Sequence, residues 1–183
     1  MPGQNLREEM LAAEVEQDQY LVFKIQSQEF GIQAMWVEEI SRPLEITPVP
    51  NSLPYIDGVT NLRGKLANVI NFRKKFAFDE REHDEDTRLI IIEYLGFPLG
   101  IIVDSVEEVI KITDDLVQKL PESTSSMTKE EYITGVGMLD KRMIIMLDVE
   151  KILEKIEVIK PEVIKQAISE ANDAVKASEQ QGG

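Results

Sequence analysis

The chain has 183 residues, 34 acidic against 20 basic side chains and a net charge of −14, a balance that opposes nucleic acid or an anionic membrane as the main partner. It has no cysteine and one histidine, which excludes disulfides, thiol chemistry and multi-histidine metal sites. No apolar run reaches the ~20 residues that span a bilayer, and the acidic start MPGQNLREEML is not a signal peptide, so a soluble cytoplasmic protein without direct membrane insertion is expected.

Residues 1–18 read as an acidic helical arm, with Asn5 and Glu8 at the spacing of a capping box. From Tyr20 the period changes. YLVFKIQSQEFGIQ is two short apolar runs around QSQE and predicts a hairpin. LEITPVPNSLPYIDG is loop, because Pro48, Pro50 and Pro54 forbid a regular element. GVTNL and KLANVI are strands around the turn Arg63-Gly64, and NFRKKF closes this unit as a helical turn. DEREHDED, residues 79–86, is a charged linker. RLIIIEYLGFPLGIIVD is a second hairpin turning near Gly96-Phe97, and VEEVIKI continues it. KLPESTSSMTKEEY is loop. GVGML and RMIIMLDV are strands around Asp140-Lys141, and VEKILEKI closes as a helix. Pro161 opens a further amphipathic helix to Lys176 with a thin apolar face.

Two echoes run through these elements. GIQAMWVEEI (Gly31 to Ile40) and GIIVDSVEEV (Gly100 to Val109) share five of ten residues at a spacing of 69. GVTNLRGKLANVINFRKKF and GVGMLDKRMIIMLDVEKIL match at Gly58, Val59, Leu62 and Lys74 against Gly135, Val136, Leu139 and Lys151, at a spacing of 77. The same order and nearly the same register predict an internal duplication, with a longer polar loop in the second copy. Short strands spaced by turn signals predict two small β-barrels sharing a core rather than a parallel sheet.

The candidate chemistry is sparse. The pairs Glu38-Glu39 and Glu107-Glu108 are poor acid–base dyads, since neighbours on a strand point to opposite faces. His83 lies in an acidic loop that supplies neither a rigid scaffold nor a second layer of ligands for a metal. There is no phosphate-binding glycine loop and no GxSxG. No catalytic, cofactor or metal residue is therefore assigned. Arg63, Lys65, Arg73, Lys74 and Lys75 form a basic cluster, read either as a dock for an acidic protein or as surface charge. Arg63 differs from its neighbours: it sits at a tight turn where the second copy has Asp140, which fits a recruited binding residue or a turn arginine bonded to nearby carbonyls. Met35 and Trp36 are read as core residues.

YLVFKIQSQEFGIQAMWVEEI, ITPVPNSLPYIDGVTNLRGKLANVINFRKKF, GIIVDSVEEVI and ITGVGMLDKRMIIMLDVEKIL together resemble the CheW-like chemotaxis coupling proteins, with GVTNLRG the most specific part. The resemblance implies a mainly β fold of two intertwined five-stranded SH3-like barrels. It implies a CheW-like domain over residues 19–157, with chain halves of about 19–78 and 87–157, after an arm at 1–18 and before a helix and tail at 158–183. It implies an adaptor without catalysis or cofactor, bridging the cytoplasmic hairpin of chemoreceptors (methyl-accepting chemotaxis proteins) to the regulatory domain of the histidine kinase CheA, in the cytoplasm at membrane-associated receptor arrays. Val37, Glu39, Asn61, Leu62, Arg63 and Gly64 match the receptor-contact region, with Glu39 and Arg63 pairing across a groove. Gln118 and Ser123 fall where the family contacts the kinase, although Ser123 stands where some members carry an aromatic. The rival readings are a regulatory domain homologous to the kinase's own, a fusion to a receiver domain, for which the tail is too short, and a small-barrel hydrolase or nucleotide-binding enzyme.

Overall fold

A computed structural model describes residues 18–121, 132–155, 169–170, 172–173 and 176–178. The first hairpin pairs β1 (Gln19–Ile25) with β2 (Gln28–Gln33) around Gln26, whose φ is 58°. A short 3-10 turn, Ala34–Trp36, leads into β3 (Val37–Ser41). After the proline-rich loop, β4 (Ile56–Leu62) and β5 (Lys65–Asn71) form a second hairpin. The first unit closes with α1 (Phe72–Lys75), where the Asn71 carboxamide oxygen accepts from the Arg73 and Lys74 amides.

Beyond the charged linker, β6 (Arg88–Tyr94) and β7 (Phe97–Val103) repeat the first hairpin, and β8 (Ser105–Lys111) follows. A minimal strand β9 (Val117–Gln118), then β10 (Ile133–Leu139), β11 (Arg142–Leu147) and α2 (Val149–Lys155) complete the described core. The Lys151 amide donates to Asp148, the counterpart of the Asn71 cap. The expected helix from Pro161 to Lys176 lies mostly outside the described residues; those described within it, 169–170, 172–173 and 176, are helical and exposed.

The strands form two mixed sheets, in the orders β8-β1-β2-β11-β10-β9 and β3-β6-β7-β5-β4. Exchanging β1 for β6, β2 for β7, β3 for β8, β4 for β10 and β5 for β11 turns one order into the other, with β9 as the one addition. The registers obey the same exchange. Val69 faces Gly100 across the parallel pair β5–β7, and Met146 faces Gly31 across β11–β2. Register shifts recur at matching places, between Val37 and Glu39 and opposite Glu107, and again between Ile56 and Gly58 and between Ile133 and Gly135. Even β9 has a precursor: Gln118 pairs Val136 as Thr47 bridges Val59. The duplication read from the two echoes is thus a structural repeat.

The expectation that VEEVIKI extends the β6–β7 hairpin fails. Asp104 bends the chain after β7, its carboxylate accepts from the Gln26 amide at 2.7 Å, and β8 crosses to pair with β1 in the other sheet. In the same way β3 leaves β2 and pairs with β6. Each sheet is therefore built from both halves of the chain. Among the described residues the hydrogen bonds do not run on from one outer strand of a sheet to the other, so each sheet is curled but not a full ring.

This crossing explains the apolar runs that lack a polar face. In β1, Leu21, Phe23 and Ile25 enter the largest core cluster while Val22 points into a separate one; in β6, Ile90 and Ile92 enter the largest cluster while Leu89 and Ile91 point the other way. The largest cluster takes residues from both sheets, and each smaller one belongs to a single sheet. Stacked and tilted rings join the halves: Phe30 lies 5.2 Å from Phe76, and Phe76 lies 5.8 Å from Tyr132. Trp36 packs against this core, but Met35 is 59% exposed, contrary to its reading as a core residue, because the 3-10 turn lifts it clear of the strands.

Candidate functional site

The site begins with a two-residue turn. Arg63 and Gly64 have φ values of 50° and 86°, the left-handed pair that matches strand twist in a tight hairpin. A Cβ on Gly64 would meet nothing within 4 Å, so glycine is there for its backbone freedom and not for space. The Asn61 carboxamide accepts from the Gly64 amide at 2.8 Å and locks the turn. Asp140, the counterpart of Arg63, has a φ of 54°, so the copies share a left-handed residue at this position and differ in its charge.

The second component is the irregularity in β3. Glu38 is the extra residue between Val37, opposite Ile92, and Glu39, opposite Ile91. Strict alternation would separate Glu38 from Glu39, but the bulge lets both line one cleft of 180 Å³ with Leu62, Arg63, Lys65 and Ile91. Within it the Arg63 guanidinium donates to the Glu39 carboxylate at 2.6 Å. Arg63 is 84% exposed and Glu39 42%. The bond joins β3, one outer strand of its sheet, to the hairpin that ends the other side.

Glu39, Leu62 and Arg63 therefore come together. Asn61 looks into an adjoining hollow of 420 Å³ walled by Leu44, Thr47, Thr60 and Leu66, while Val37 packs on the main core. Lys65, Glu38 and Glu93 also belong to the cleft. Sequence reading missed them as site residues: only the bulge and the curl of the sheet bring Glu38 and Glu93 to Arg63.

In the second copy the counterpart of Glu39, Glu108, is held differently. Arg142 donates to Glu108 at 2.5 Å and to Glu29 at 2.8 and 3.2 Å. The Glu29 hydrogen bonds are the largest cause raising the Arg142 pKa, and Arg142 in turn holds the Glu29 carboxyl below its usual range. This arginine is committed on both sides, whereas Arg63 has a single partner among the described ion pairs.

The basic cluster is not a free patch. Arg73 is 8% exposed and donates to Asp104 at 2.7 and 2.5 Å and to the Asp79 carbonyl at 2.7 Å. Lys74 pairs with Asp57 and Glu80, and Lys75 lies 4.5 Å from the centre of the Tyr55 ring. Only Arg63 and Lys65 of the five face the cleft. Gln118 is exposed on β9, and Ser123 lies outside the described residues. His83 is exposed in the linker, and among the described residues no three acidic or histidine side chains gather at a metal-binding distance. No helix among them is long and apolar enough to cross a membrane.

Comparison with known proteins gives the family. The CheW-like domain family matches residues 19–157. The chain is 36% identical over 147 residues to the chemotaxis protein CheW of Klebsiella aerogenes, covering 80% of this chain and 88% of the relative. It is 32% identical over 138 residues to CheW of Bacillus subtilis, covering 75% and 88%. The crystal structure of the scaffolding protein TtCheW from Thermoanaerobacter tengcongensis superposes with a TM-score of 0.65 at 32% identity, covering 72% of this chain and 89% of that one. The chain belongs to the CheW-like family.

Proposed function

We propose that this protein is a non-enzymatic adaptor that couples the cytoplasmic hairpin of chemoreceptors to the regulatory domain of the histidine kinase CheA, and that it is held at membrane-associated arrays through those partners. Its relatives are chemotaxis proteins, and the solved relative is a scaffolding protein. The observation that carries the reading is the Arg63–Glu39 pair at the mouth of an open cleft. An exposed charge pair on a rigid two-residue turn fixes the shape of a docking edge while leaving both groups available to a polar helix surface. Val37, Glu39, Asn61, Leu62, Arg63 and Gly64 form the receptor face in this reading. Gln118 and Ser123 belong to the kinase face, about 55 positions further along the chain. Sedimentation of the protein with a receptor cytoplasmic fragment and with the kinase regulatory domain, separately and together, tests it. Binary complexes with each partner and a ternary complex are expected; binding to neither removes the adaptor reading.

A further inference from the structure

The two halves also differ where the repeat predicts a match to Arg73 and Asp104. In the first half the start of α1 is tied to the bend after β7 by Arg73 and Asp104, whose side chains are 9% and 15% exposed. In the second half Glu150 stands in the place of Arg73 and Met35 in the place of Asp104, so no ion pair can form between them. A cavity of 260 Å³ lies there instead, with Tyr20, Gln33, Met35, Trp36, Asp148 and Glu150 in its wall.

The chemistry of that wall is specific. Two carboxylates line the cavity, and none of its lining residues is cationic. Two half-buried aromatic side chains, Tyr20 and Trp36, stand beside them. The negative field has more than one source. The Tyr20 phenol is raised above its usual pKa chiefly by burial; its hydrogen bond with Gln33 opposes this, and the carboxylates of Asp114, Asp18 and Asp148 add to it. Aromatic faces beside carboxylates favour a flat cation, which stacks and is paired at once.

We propose that this cavity receives an arginine side chain presented by a partner protein, paired with Glu150 and Asp148, stacked against Trp36 and Tyr20, and with Met35 at the mouth packing on the residue beside it. A guanidinium is the group that fills the matching place in the first half, where Arg73 supplies it from within. Here the chain supplies an acid, and the complement comes from outside. The site is separate from the adaptor reading, since it shares no residue with the candidate receptor or kinase faces.

Trp36 is the single tryptophan of the chain, so its emission reports on the cavity directly. The probe is a short peptide with one arginine between two leucines, and its control is the same peptide with citrulline, the neutral isostere. A saturable change in Trp36 emission is expected with the arginine peptide. It should be weaker by about tenfold or more with citrulline, weaker in Glu150→Gln, and weaker again as salt rises. Asp148 is left unchanged because it caps α2. Arg63→Glu should bind the peptide as the parent does. An equal response to citrulline, a response untouched by both Glu150→Gln and Glu150→Lys, or its loss in Arg63→Glu overturns the proposal. So does no response at all. A change in emission with protein concentration alone, without peptide, also overturns it, in favour of a second copy as the occupant.

Discussion

Arg63 and Glu39 are bonded at 2.6 Å across the open side of one sheet, yet the arginine is 84% exposed. A pair so hydrated adds only about 0–1 kcal/mol to folding. Arg63→Glu is therefore expected to leave the melting temperature within a few degrees of the parent. On the adaptor reading it should weaken receptor-fragment binding more than about tenfold, with kinase binding nearly unchanged. The reversed pair, Glu39→Arg with Arg63→Glu, should regain part of the loss. Titration and thermal melting of the parent, Arg63→Glu, Glu39→Arg and the reversed pair check this, and additive losses would show that the pair does not act as a unit.

Arg73 and Asp104 are the opposite case. Asp104→Ala leaves a nearly buried guanidinium without its main partner and is expected to destabilise the fold by about 3–5 kcal/mol. Arg73→Met with Asp104→Leu should recover much of that, because the place is then apolar. Urea unfolding of the parent and both variants measures it.

The same carboxylate gives a pH dependence. Burial disfavours its charged form, but the Arg73 hydrogen bonds, the Gln26 amide and the charges of Arg73 and Arg81 outweigh burial and hold its pKa below the usual value. A depressed folded pKa means the unfolded chain takes up the proton first. The contribution is complete above the unfolded value of about 3.9 and is lost as pH falls through the lower folded value. Glu29, lowered by its hydrogen bonds to Arg142, acts in the same direction. Unfolding free energy measured between about pH 5 and pH 2 should fall less steeply in Asp104→Asn than in the parent.

Gly58 has a φ of 146°, and a Cβ there would lie 2.1 Å from the Thr47 carbonyl oxygen. Thr47 and Val59 exchange backbone hydrogen bonds at 2.8 and 2.9 Å, so that carbonyl cannot retreat without breaking them. Gly58→Ala is expected to destabilise by more than about 2 kcal/mol. Gly96→Ala, with open space around it, should lose only about 1 kcal/mol of backbone strain. Chemical denaturation of both variants compares a steric with a purely conformational effect.

Deleting residues 159–183 should shift the melting temperature by only a few degrees, since the described residues of that segment are exposed. Failure of the shortened chain to fold would make the segment part of the core.

The hairpins could be read from the chain because turns such as Arg63-Gly64 announce themselves locally, and the turn expected near Gly96-Phe97 falls one residue earlier, at Leu95-Gly96. The bridging of sheets could not. Leu89 to Ile92 is apolar at every position, and a run without a polar face does not say that its alternate residues serve different cores. VEEVIKI reads as a continuation of its neighbour in sequence because nothing local marks the crossing at Asp104. Arg73, Lys74 and Lys75 looked like one patch because their partners, among them Asp104 and Asp57, lie 31 and 17 positions away. Arg63 stands out in the chain at its turn, against Asp140 in the second copy, but its pairing with Glu39 is legible only through family resemblance; the bulge that turns Glu38 into the same cleft has no sequence signature of its own.

The crossing of strands has a consequence for the chain as a whole. Neither half owns a complete sheet: β1 and β2 finish a layer begun by β8, β10 and β11, and β6 and β7 finish the one begun by β3, β4 and β5. Cut in the acidic linker, the molecule would become two fragments that can satisfy their edges only on one another. Topologically, the chain is two copies of one unit that have exchanged strands, tied together by one stretch of charged peptide.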